Sequence, residues 1–226
     1  MATSITMMPF MLTVFFTAIL IVRLYDRFTP RQIARFGFAL VLVGTLWLAV
    51  VVRNNWSVAP VILGLITVGL GQGALVTLLF NVLVTSSPKE LAGDVGSLRG
   101  VTQNLAAAVG TAVMGALVVS VLSMGVLRSV NNNPLITENM TAEVDLDSIN
   151  FLSNERLKER FESADVTPAQ IGEAVRINSE TRLRALQVGF LTLAGLELLA
   201  LVRCSWLPNY RPEQIPSGSS KTTAKA

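Results

Sequence analysis

The chain contains no histidine and only one cysteine, Cys204, among 226 residues. Without histidine it loses the commonest metal ligand and the usual acid/base group near neutral pH, so any proton chemistry must fall to carboxylates. A lone cysteine excludes an internal disulfide framework. Charge is scarce as well, with 15% of residues being Asp, Glu, Lys or Arg. Apolar sequence fills the gap: hydrophobic residues make up 51% of the chain and the mean hydropathy is +0.56. A soluble α/β domain carries charges or turn signals about every ten residues, whereas the uncharged runs here reach the roughly twenty that cross a bilayer. The net charge of +3 is modest, and basic residues gather at the ends of apolar runs. That pattern suits membrane topology and gives no face for nucleic acid. No nucleophile/base pair, phosphate-cradling loop or metal-ligand cluster stands out, so no enzyme activity, cofactor or metal is expected.

The pattern predicts an all-α membrane protein with five transmembrane helices at about 5–24, 32–52, 58–84, 96–122 and 184–207. The opening MATSITMMPFML lacks a positive n-region and a small-residue cleavage site, and it reads as part of the first span. Thr29-Pro30 breaks the chain between the first two spans. Residues 125–183 are charged, mixed in sign and incompatible with lipid, which makes them a water-exposed loop. Within that loop, Thr167-Pro168-Ala169-Gln170 has the pattern of a capping box with proline in the first turn, so a helical part is expected from 168. Ser87-Pro88-Lys89-Glu90 has the same pattern and predicts a short interfacial helix. The tail, 208–226, is polar and rich in Pro, Gly and Ser, a composition that predicts disorder.

The fourth span is apolar yet built from small residues. Gly100, Ala106, Gly110 and Gly115 belong to overlapping small-xxx-small spacings, which predict close packing against companion helices. Arg99, Gln103 and Asn104 cluster toward one end of it. In the third span Gly64, Gly69, Gly71 and Gly73 flank Gln72 near the bilayer middle, a pattern equally suited to a close helix crossing. By residue counting Gln72 and Thr111 reach similar depth, so they are candidates to line a cavity, with Gln103 and Asn104 nearer its end; packing contacts are the alternative.

Arg23, Arg27, Arg31 and Arg35 flank the first hairpin, Lys89 and Arg99 the next loop on that side, and Arg203, Arg211, Lys221 and Lys225 the tail, against Arg53 alone in the short loop opposite. The positive-inside rule then puts the hairpins and tail in the cytoplasm and the N-terminus outside. The long loop is too long to weigh in this count.

Two segments carry a family resemblance. LYDRFTPRQ, with Asp26, Arg27 and Arg31, resembles the cytoplasmic loop signature of the major facilitator superfamily; Val22 and Thr29-Pro30 stand where that family has glycine. SSPKELAGDVGSLRGVTQNLAAAVGTAVMGAL, with the charged loop and final span that follow, is similar to the end of the fourteen-span drug:proton antiporter branch. The resemblance implies the last five spans of a proton-coupled exporter of small amphiphilic compounds in the cell membrane, with the N-terminal half missing or supplied by a partner chain. It also implies a gate or charge-relay role for Asp26, Arg27, Arg31 and Arg99, which physics alone reads as topology determinants.

One carboxylate stands within a span: Glu197, in LTLAGLELLAL. A charge at that depth costs at least ~2.5 kcal/mol on insertion scales, which makes Glu197 the candidate for proton coupling. The alternative is a neutral Glu bonded to a neighbouring helix or facing lipid. Two other organisations fit the same sequence: a membrane scaffold whose outer loop binds a partner, and a five-span subunit completing a carrier with another chain.

Overall fold

The computed structural model describes residues 2–24, 27–53, 58–85, 89–131, 133, 154–162 and 167–207. Among them there are helices and no strand: α1 (Ala2–Leu24), α2 (Pro30–Val51), α3 (Val58–Thr85), α4 (Ala92–Asn131), α5 (Asn154–Glu162) and α6 (Pro168–Arg203), with 3-10 turns at Lys89–Leu91 and Cys204–Trp206. Five of these, α1 to α4 and α6, are long and apolar enough to cross a membrane. The fold is therefore all-α and of membrane type. The 40 residues of α4 and 36 of α6 correspond to roughly 60 and 54 Å at about 1.5 Å per residue. Both exceed a hydrocarbon core of about 30 Å, so their polar ends project past it.

Local chemistry explains where the helices begin. Ahead of α6 the Thr167 N–H and hydroxyl both donate to Gln170 Oε1, at 3.0 and 2.7 Å, satisfying a donor that the first turn leaves without a partner. The same device starts α2: the Thr29 N–H donates to Gln32 Oε1 at 3.1 Å. Thr29-Pro30 therefore interrupts the chain and also begins the next helix, with Pro30 at its first position. Ser87 lies outside the described residues; Lys89–Leu91 is a single 3-10 turn leading directly into α4, not a separate interfacial helix.

The described residues fall into two compact units, one within Met1–Val43, Leu65–Ser97 and Glu197–Ala226, the other within Gly44–Gly64 and Leu98–Leu196. In the first, Ile21 of α1, Ile33 and Ala34 of α2, Ala74 and Leu78 of α3, and Cys204 form a buried cluster with Phe38, Val82 and Leu207 against it. In the second, Leu122 and Val126 of α4 pack with Ala185 of α6. Hydroxyls within the helices are satisfied locally. Thr13, Thr77 and Thr192 each donate to the carbonyl four residues earlier, as a medium without water requires.

Among the described residues, approach of one helix backbone to another belongs to α3, whereas Gly125 of α4 meets the Thr181 side chain of α6. A Cβ on Gly71 would stand 2.5 Å from the Gly37 carbonyl oxygen of α2, and one on Gly73 would stand 2.7 Å from that of Val14 on α1. Gly69 meets the Phe10 carbonyl at 3.0 Å in the same way. Alternate glycines thus bring α1 and α2 against two sides of α3.

Among the described residues no neighbour stands against the small residues of α4 singled out by the sequence. Gly100, Gly110 and Gly115 have nothing within 4 Å of an added Cβ, and Ala106 is exposed. The physical reason is position along the helix. Among the described residues α4 meets its neighbour through Leu122 and Val126, nearer its C-terminal end, and the small-residue stretch lies before that contact. Elsewhere, exposed apolar side chains such as Phe16 (63%), Val50 (64%) and Leu199 (65%) form a surface too greasy for water and suited to lipid.

Candidate functional site in the membrane helices

The best-defined polar geometry lies at the start of α2. Arg31 donates from Nε and Nη2 to the Leu207 carbonyl, at 3.0 and 2.7 Å, and Arg35 Nη2 donates to Ser205 Oγ at 3.0 Å. A guanidinium fork suits this task because its donors are rigid and permanently charged. The Arg203 guanidinium lies 4.6 Å from the Trp206 ring centroid, a cation–π contact on the same turn. Arg31 and Arg35 therefore fasten the end of α6 to the start of α2. Sequence reading missed this link because the partner is a backbone carbonyl distant in the chain, which no side-chain motif announces.

The remaining candidates are dispersed. Arg27 is exposed, Arg99 is partly buried, and Asp26 lies outside the described residues. Glu197 sits on α6 in the first unit with intermediate exposure and its Oε2 buried. Gln72 is exposed, on α3 of that unit. A cavity of about 510 Å³ lies among α1, α2 and α3, lined by Thr17, Gln32 and apolar residues including Leu20, Phe36 and Ala74. In the second unit a groove of about 620 Å³ runs between α4 and α6, where Thr111 and Gly115 face Gly189, Phe190 and Leu193. Gln103 and Asn104 are exposed on α4. Neither space is lined by Gln72, Gln103, Asn104 or Glu197.

These spaces are apolar, and among the described residues no cluster of side chains is arranged to hold a metal ion. Such surroundings suit an apolar or amphiphilic guest.

The family model described as Major Facilitator Superfamily matches residues 1–128, which is more than half of the 226-residue chain and takes in α1, α2, α3 and most of α4. The chain belongs to the major facilitator superfamily. No curated protein and no solved structure matches it. Membership in this superfamily of transporters agrees with the membrane-length helices: this is a multi-pass protein of the lipid bilayer, from a group that moves small molecules. The matched stretch of this major facilitator protein contains the basic hairpin and the glycine crossing of α3. It stops before α5 and α6, so Glu197 lies beyond it.

Proposed function

We propose that this major facilitator protein is the C-terminal portion of a proton-coupled exporter of small amphiphilic compounds, of the fourteen-span drug:proton antiporter branch. The observation that carries the reading is Glu197, a carboxylate within a membrane-length helix of a transporter-family chain. A group whose charged form is costly at that depth exchanges a proton between two environments at small expense if one of them is wetter, which is what coupling requires. The 510 Å³ and 620 Å³ spaces are of a size and polarity that fit greasy cargo. In this reading the protein lies in the cell membrane, with Arg27, Arg31 and Arg99 on the cytoplasmic side, the N-terminus outside and the tail in the cytoplasm.

A carrier that rocks two halves about a midplane site needs a second bundle of helices. The small residues of α4 that line no groove, Gly100 and the exposed Ala106, support a further body of helices against that end of α4, from an N-terminal half or a partner chain. Asp26, Arg27, Arg31 and Arg99 serve in this reading as gate residues. Gln72, Thr111, Gln103 and Asn104 serve as lining of the site that the second bundle completes.

The test is Glu197→Gln in the assembled carrier in proteoliposomes. Efflux driven by a pH gradient is expected to vanish while substrate still exchanges without a gradient. Unchanged gradient-driven efflux would remove Glu197 from the mechanism.

A further inference from the structure

The second unit contains a cavity of mixed polar and apolar lining that the transport reading does not use. It has a volume of about 330 Å³ and is lined by Arg53, just past the end of α2, Asn154 at the start of α5, and Ser179 and Arg182 of α6, with Leu183 and Leu186 as its apolar wall. Its walls are built around a buried core. Asn178, 2% exposed, donates from Nδ2 to Asn154 Oδ1 at 2.8 Å, and Asn154 Nδ2 donates to Ser179 Oγ at 2.9 Å. Ser179 thereby accepts from Asn154, which leaves its own proton to be directed at a guest.

Among the described residues the charge lining the cavity has one sign: two guanidinium groups line it and no carboxylate does. On α6, Glu173 and Glu180 both pair with Arg176, at 2.5 and 2.9 Å. Among the described residues neither Arg53 nor Arg182 pairs with an acidic side chain. The N-terminus of α5, whose first residue is Asn154, adds partial positive charge. Guanidinium forks bind carboxylates through paired N–H donors, and leucine walls hold an alkyl or aryl body.

We propose that this cavity binds an amphiphilic carboxylate, with the anionic head between Arg53 and Arg182, the Ser179 hydroxyl donating to it, and the apolar part against Leu183 and Leu186. The site is independent of the Glu197 mechanism, because it asks only for binding.

Calorimetric titration of the full chain in phosphatidylcholine nanodiscs with hexanoate, hexylamine and hexanol tests this directly. Hexanoate is expected to bind saturably at one site per chain, and the other two to show only partitioning. Arg182→Gln should weaken hexanoate about tenfold, as loss of a charge-assisted contact does, with Arg182→Lys recovering part of the loss. Arg53→Gln, outside any helix, should weaken it comparably without touching helical structure. The proposal is overturned if hexanoate gives no saturable isotherm, if hexanol or hexylamine binds equally well, or if a folded Arg53→Gln/Arg182→Gln double variant retains full affinity.

Discussion

The backbone of Gly37 on α2 lies against Gly71 on α3 so closely that a Cβ on Gly71 would stand 2.5 Å from the Gly37 carbonyl oxygen. Both positions are buried, and the same added Cβ would also stand 2.5 Å from Val41 Cγ2. Lipid tails are as apolar as leucine, so helices in a bilayer gain from this kind of contact rather than from exclusion of water.

Gly71→Ala is accordingly expected to destabilise the detergent-solubilised protein by about 1–3 kcal/mol, the usual cost of overpacking, because a carbonyl oxygen and a backbone nitrogen at 2.8 Å cannot move aside as a side-chain tip does. Gly115→Ala, with nothing within 4 Å, should leave the isolated chain as stable or slightly more so, since alanine favours helix over glycine by up to ~1 kcal/mol. Thermal unfolding midpoints compare the two. The opposite order would put the tight crossing on α4 instead of α3.

Arg31→Ala should release the Leu207 carbonyl and loosen the end of α6. A hydrogen bond to a charged group contributes roughly 1.5–3 kcal/mol, and partial exposure places this one at the lower end. Limited proteolysis on the C-terminal side of Leu207 should accelerate. Arg31→Lys should recover only part of the protection, because an ammonium cannot reproduce two parallel donors. Arg35→Ala, whose contact with Ser205 is exposed, should have a smaller effect.

Asn178→Leu should detach α5 from α6. The substitution leaves the amide of Asn154 without its donor in a partly buried place, at a cost of about 1–3 kcal/mol. Leu157 and Phe161, buried at 2% and 4% exposure, would not hold so short a helix alone. Hydrogen exchange over 154–162 should rise while exchange in α3 stays slow. Unchanged protection in α5 would show that its apolar side alone docks it.

Much of the fold was legible without coordinates, because a membrane helix must satisfy its backbone internally and therefore announces itself as an unbroken apolar run. The Thr167–Gln170 cap was legible for a similar reason, since both partners lie within one turn. The role of the small residues was not. Gly110 and Gly71 sit in equally suggestive spacings, yet only Gly71 has a neighbour; spacing states that a helix can be approached, not that another arrives. Glu197 was visible as a carboxylate in a greasy run. The Arg31–Leu207 link and the cavity between Arg53 and Arg182 join residues far apart in the chain, and no local pattern encodes them.

What the amino-acid order determined by itself is therefore the class of protein and the number of its membrane-length helices, because the bilayer judges each segment separately by its apolar length and buried charge. Tertiary structure alone decided which glycines touch, which arginines find carbonyls and which line a cavity. Those outcomes depend on the rotation and tilt of one helix against another, and a helix's own sequence leaves both free until a neighbour packs against it.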